Sequence, residues 1–233
     1  MHFTVEPSVI GCFPGLRLAV AVASGIDNST AQPVIRAAWE STWGKAPEAC
    51  VYGNSQSHPR VRPWRERFQA MGISSKKYPA SIEALLRRAL KGGEPFFINP
   101  CVDFYNTISL RHVVPAGGFD LAEIAEDLVL RLTREGDHFQ ALDEDAPAPV
   151  LPGEVAYASG NTILTRYFVW RQARTALITP ATRSVFLVAE ILGELGGDVA
   201  EAVLDDFRQG LRSYFQVEPQ SFVVDGRVPS ISW

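Results

Sequence analysis

The run Leu18-Ala-Val-Ala-Val-Ala23 has no polar position, so any fold that holds it must cover it on both sides. It falls far short of the roughly 20 apolar residues that span a bilayer. It is also a poor secretion signal. No Lys or Arg precedes Arg17, Glu6 is acidic, and the apolar stretch is too short for the core of a signal peptide. A buried β-strand over Leu16–Ala23 remains. The apolar residues from Val9 to Phe13 suggest a second strand before it, with Pro14-Gly15 as the turn.

Such a strand needs a core around it, and the composition supplies one. The 233 residues are 46% apolar and 21% charged, which suits a packed fold and argues against disorder. The net charge of −4 excludes general attraction to polyanions, so a nucleic-acid partner would have to meet a local basic surface. Cys12, Cys50 and Cys101 are scattered and odd in number, as expected for reduced thiols in a cytoplasmic protein. We expect one domain over residues 1–233.

Helical patterns alternate irregularly with strands. Pro33 is placed to open a helix towards Trp43, and Pro63 one over Trp64–Met71. Ile82, Leu85, Leu86, Ala89 and Leu90 form one apolar helix face, with Ser81 as N-cap and Gly92-Gly93 as stop. Asp120-Leu-Ala-Glu123 matches a capping box. Leu128–Thr133 and His138–Leu142 suggest a hairpin around Glu135-Gly136-Asp137. Asp145–Pro152 suggests an exposed loop. Strands are expected over Glu154–Tyr157, Thr162–Trp170 and Ser184–Ala189. Asp198 is placed to cap a helix carrying Val199, Ala202, Val203, Phe207 and Leu211, and Phe222–Val224 to end the chain as a last strand. No βαβ rhythm is present, which favours an α+β fold.

Charge is segregated. Between Arg60 and Lys91 lie Arg60, Arg62, Arg65, Arg67, Lys76, Lys77, Arg87, Arg88 and Lys91, opposed only by Glu66 and Glu83. Acids dominate from Asp120 to Glu154. Two solvated faces would explain this. A basic lip for phosphates would as well.

The usual catalytic signatures are absent, and His2, His58, His112 and His138 have no ligand spacing, so neither a metal nor a cofactor is expected. Ser109 and His112 would share a helix face as a nucleophile and base would, but no orienting carboxylate or nucleophile elbow accompanies them. More informative is Ile98–Asp120. Asp103, Asn106 and Ser109 recur every three residues among Val102, Phe104, Tyr105, Ile108 and Leu110, and a helix would stack them along one side. Half-buried Asn and Asp side chains need hydrogen-bond partners, either a structural network or a polar ligand. In Phe168–Arg174, Trp170, Arg171 and Gln172 offer an aromatic plane and several donors. These suit a carboxylate, a phosphate or a stacked base, or simply a core Trp beside a surface Arg.

Asn99-Pro-Cys-Val-Asp-Phe-Tyr-Asn106, then Ser109-Leu-Arg111, Pro115, Gly117-Gly-Phe-Asp120, Gly153-Glu-Val155 and Trp170-Arg171, resemble the B3/B4 domain of the phenylalanyl-tRNA synthetase β subunit. They resemble the free-standing bacterial B3/B4 proteins more closely, most strongly over residues 77–190, and the chain length suits that group. The resemblance implies an α+β fold built on a β-sandwich of unusual topology flanked by helices, with a pocket for the aminoacyl end of tRNA. In the synthetase this domain removes tyrosine wrongly attached to the phenylalanine tRNA. The family's pocket asparagine falls on Asn106, its histidine on Gly117, and its late-strand glutamate near Val188, with Glu190 two residues on and on the same strand face.

The expectation is a trans-acting deacylase for mischarged tRNA, with Asn106 and Glu190 at the reaction. Asn99, Asp103, Ser109, Arg111, Gly117, Trp170 and Arg171 would contact substrate. Arg60, Arg62, Arg65, Lys76, Lys77, Arg87 and Arg88 would hold the acceptor end of the tRNA. The alternative is a module that binds tRNA, another RNA or an amino acid without chemistry.

Overall fold

The computed structural model describes residues 1–50 and 53–233. Two sheets pack face to face, and helices cover the outer side of one of them. The fold is therefore α+β.

The apolar run forms β2 (Arg17–Ser24), at the centre of a four-stranded antiparallel sheet. Its neighbours are β11 (Ser184–Ile191) and β12 (Gln220–Asp225), and β3 (Ala116–Asp120) lies beyond β11. Strand alternation sends Ala19, Ala21 and Ala23 to one face, against helices α5 (Pro100–His112) and α6 (Gly197–Phe215). Leu18, Val20 and Val22 go to the other face, against the second sheet. Small residues on the helix side let the large rings Phe104, Phe207 and Phe215 approach the sheet closely.

The second sheet has the order β13 (Ser230–Ser232), β1 (His2–Val5), β4 (Leu128–Leu132), β7 (Val155–Ser159), β8 (Thr162–Ile163), β5 (His138–Phe139), β6 (Ala148–Pro149). The pairs β1–β4 and β5–β8 are parallel, within an otherwise antiparallel sheet. Phe3, Leu128, Leu130 and Tyr157 meet Phe119, Phe186 and Val188 between the sheets. Helices α2 (Pro33–Ala49), α3 (Arg62–Ala70) and α4 (Ser81–Leu90) border this core.

Several local expectations need correction. Val9–Phe13 is not a strand. Pro7 opens a short helix, α1 (Pro7–Cys12), and burial of Val9 and Phe13, four residues apart, fits one helical face. Ser81 is the first residue of α4, and Ala80 occupies the cap position without a side-chain bond. Gly196, at φ 81°, precedes α6, so Asp198 lies in its first turn. Asp120 does cap Ala122 N, but over a single 3₁₀ turn, and its other oxygen accepts from Thr182 Oγ1 at 2.6 Å. Strands β4 and β5 are not a hairpin. The end of β4 is claimed by the start of β7 through Thr133 N to Glu154 O at 2.7 Å. The buried Asp137 carboxylate turns back onto Arg131 in two bonds of 2.7 and 2.8 Å, and β5 is delivered beyond β8. The chain does not end on β12, since β13 follows and pairs with β1.

Candidate functional site

Two adjoining cavities share Ser81, Ala116 and Trp170 as common walls. The first, about 90 Å³, opens between the sheets. Phe119, Tyr157, Phe168 and Val188 supply its apolar walls. Gly117, Gln172, Arg171 and Glu190 line it as well. Pairing of β3 with β11 sets Gly117 opposite Val188, with Glu190 two residues on and on the same face. A Cβ built on Gly117 meets nothing within 4 Å, so the space at this position is open.

Glu190 is buried in this apolar setting. Burial pushes its carboxyl up to about 8, against the opposing influence of the Tyr157 hydroxyl, which donates to Oε1 at 2.9 Å. At neutral pH this favours the protonated form. The Tyr157 phenol is raised by burial and by Glu190 itself.

The second cavity, about 300 Å³, is lined by Ala84, Leu85, Arg88, Phe96, Asn106 and Ser109 besides the shared walls. The half-buried Asn106 lines this cavity, and its amide makes no hydrogen bond among the described residues. The Ser81 hydroxyl is equally without a bond among the described residues, and its backbone N–H donates to Val169 O at 2.8 Å. Ser109 is different: its hydroxyl donates to Val114 O at 2.6 Å and closes the end of α5.

The turn over the first cavity joins β9 (Thr165–Arg166) to β10 (Arg171–Gln172). Tyr167 and Phe168 are both left-handed, at φ 46° and 61°. Such conformations cost on the order of 1–3 kcal/mol each for residues with a Cβ. Burial of Phe168 against Phe13, Trp64 and Tyr157, and its N–H bond to Val155 O at 2.6 Å, hold the turn. The turn brings Tyr167 and Trp170 together with Tyr78, whose ring stacks on Tyr167 at 4.0 Å and meets Trp170 edge-on at 4.7 Å.

The residues singled out from the sequence thus divide. Gly117, Trp170, Arg171 and Glu190 meet at the first cavity; Asn106, Ser109 and Arg88 meet at the second. Asn99 and Asp103 do not join them. Asn99 caps α5 through Val102 N, bonds Asn28 at 3.0 Å, and with Asp103 lines a separate cavity of about 430 Å³. Arg111 lies at a third place, where Asp206 bonds both Arg111 and His112. Burial raises Asp206, but its His112 and Arg111 contacts outweigh that and lower it overall. Three residues of helix turn about 300°, so a three-residue repeat drifts by about 60° at each step, and Asp103 leaves the side that Asn106 and Ser109 share. Ser109 and His112 are not a dyad, because each is bonded elsewhere.

Among the basic residues, Arg65 pairs with the buried Glu83 at 2.7 Å, Arg62 with Glu66, and Arg60 with the His112 carbonyl. Lys76, Lys77, Arg87 and Arg88 have no ion pair among the described residues. Lys77 lies over the Tyr78 ring and Arg88 over Phe96. Sequence reasoning missed Ser81 and Tyr157 as site residues. Ser81 carried only a capping signal, and a tyrosine within a strand pattern looks like any core ring. No described helix is long and apolar enough to cross a membrane.

A family model described as the B3/4 domain matches residues 63–195. Curated proteins give no match. Among solved structures, the chain is similar to an N-terminal fragment of the phenylalanyl-tRNA synthetase β subunit from Pyrococcus horikoshii, at 8% identity and a TM-score of 0.44. That likeness covers 95% of this chain and 53% of the fragment, so the chain spans about half of the fragment's length. The family match takes in more than half of the chain and every wall of the paired cavities, and on that ground the chain belongs to the B3/4 domain family.

Proposed function

We propose that this domain receives the aminoacylated 3′ end of a tRNA across the two cavities and hydrolyses the ester in trans. The observation that carries this reading is the shared wall. A cavity with Phe119, Tyr157, Phe168 and Val188 as apolar walls and Arg171, Gln172 and Glu190 as polar ones lies directly beside a cavity into which Ser81 and an Asn without a hydrogen-bond partner among the described residues open. The first suits an amino-acid side chain. The second suits the terminal ribose, with Lys76, Lys77, Arg87 and Arg88 available for phosphates.

Hydrolysis here needs no strong nucleophile, because an aminoacyl ester is already reactive. Water oxygen bonds to the carbonyl carbon, the bond to the ribose oxygen breaks, and a water proton ends on that oxygen. Asn106 can orient the water or donate to the developing oxyanion, and Ser81 at the junction can do the same. Burial raises the Glu190 carboxyl to about 8, so its protonated form is available at neutral pH to bind a ligand hydroxyl. The test is release of amino acid from a panel of charged tRNAs. Some members should lose their amino acid faster than in buffer, and Asn106→Ala should slow this by at least about tenfold. No release from any member would sink the hydrolytic reading.

A second reading is favoured by the raised Glu190 carboxyl and by the empty space at Gly117. In that reading the domain binds the aminoacyl end and does no chemistry. A melting shift with charged tRNA and no release of amino acid would distinguish it.

A further inference from the structure

We infer that the smaller cavity is gauged for a small, hydroxyl-bearing side chain of the size of serine or threonine, and that it refuses aromatic ones. This rests on the reading of the site as an aminoacyl pocket. The first argument is size. The cavity measures about 90 Å³. An engineered protein cavity that admits benzene is near 150 Å³. A phenyl or phenol ring on its Cβ does not fit without moving walls.

Four of its walls are held in the core. Phe119, Tyr157, Phe168 and Val188 are each no more than 2% exposed. Phe119 and Tyr157 pack with ring centroids 5.4 Å apart, and Tyr157 and Phe168 at 5.9 Å. Each belongs to the core between the sheets, so widening the cavity means repacking that core.

The second argument is polarity. Deep in these apolar walls the Tyr157 hydroxyl donates to Glu190 Oε1. Among the described residues the Glu190 carboxyl has, besides the Tyr157 hydroxyl, only a bond with its own backbone, and Glu190 lines the cavity. A neutral carboxyl both donates and accepts, as a ligand hydroxyl does, and the two are complementary. A methyl group in the same place would leave the carboxyl without a partner, so serine should be favoured over alanine and threonine over valine.

The experiment uses the full chain and non-hydrolysable 3′-aminoacylamino adenosines carrying seryl, threonyl, alanyl, valyl, phenylalanyl and tyrosyl groups, with affinity read by calorimetry. Seryl and threonyl compounds should bind at least tenfold more tightly than alanyl and valyl, and at least a hundredfold more tightly than the aromatic pair. Glu190→Ala should abolish the preference for seryl over alanyl. Glu190→Gln, which keeps a donor and an acceptor, should retain most of it and controls for folding. Aromatic compounds binding as well as seryl would overturn the size argument, and equal binding of seryl and alanyl the hydroxyl argument, with the aminoacyl site intact in both cases. Binding of none of the six would overturn the aminoacyl reading and this inference with it.

Discussion

Asn106 and Ser81 illustrate two kinds of sequence signal. An Asn among Phe104, Tyr105 and Ile108 stands out because a helix interior disfavours it, and the structure leaves its amide facing a cavity. Ser81 gives no such signal, since a Ser beside a helix start is ordinary. Only the tertiary fold sets it between two cavities. Ser81→Ala should leave the melting temperature within about 1–2 °C of the parent, because no protein bond is lost. It should still weaken binding or turnover of aminoacyl-tRNA by about tenfold, read in the same release assay. Glu190 gives a pH test. Its carboxyl is raised from the ordinary value to about 8, so the folded state holds a proton that the unfolded chain releases above about pH 4.5. Its contribution to stability therefore falls as pH rises from about 4.5 to about 8, and is level above that. Glu190→Gln should flatten this part of the profile and raise the melting temperature at pH 8 by several degrees, with little change at pH 4.5. A variant whose profile runs parallel to the parent's would show that Glu190 is not the titrating group.

Elements with long, regular patterns were legible, and those decided by neighbours were not. Helices α2, α3, α4 and α6 and strands β2, β7 and β11 follow from proline position and periodicity. The mistaken hairpin over Leu128–Leu142 had every local sign of one. What sequence could not show was that β7 takes the edge of β4, and that Asp137 binds Arg131. Helix α6 holds a similar hidden constraint. Gly210→Ala in an ordinary helix stabilises by about 1 kcal/mol. Here a Cβ at Gly210 would come within 2.1 Å of the Phe104 ring on α5. Phe104 is itself packed by Phe207, Tyr214 and Phe215, so it has little room to yield. The substitution should destabilise by about 1–3 kcal/mol in urea unfolding. A stabilised variant would show that α5 and α6 can slide apart.

At the scale of the whole molecule, the α+β class was readable from the missing βαβ rhythm, while of the residues singled out Asn106, Ser109, Gly117, Trp170, Arg171 and Glu190 line the paired cavities and Asn99, Asp103 and Arg111 do not. The layering was not, because it depends on strands far apart in sequence: β1 pairs with both β4 and β13. The charge pattern also acquires detail only in three dimensions. Of the seven residues expected to hold the tRNA, Arg60, Arg62 and Arg65 have protein partners, which leaves four cations for the proposed phosphate contacts. With about four contacts to a single-stranded end, log K for RNA should fall against log salt with a slope of about −3. Replacing Lys76, Lys77, Arg87 and Arg88 together by Gln should bring the slope close to zero, and a slope unchanged by the replacement would place the RNA on another face. The left-handed pair Tyr167 and Phe168 has one more consequence. The turn keeps its shape only while Phe168 stays buried, and opening it releases backbone strain that helps the opening along. Under mild denaturant or gentle heating the roof of the smaller cavity should therefore loosen as a local unit ahead of the sheets, and any binding there should be lost before the protein unfolds.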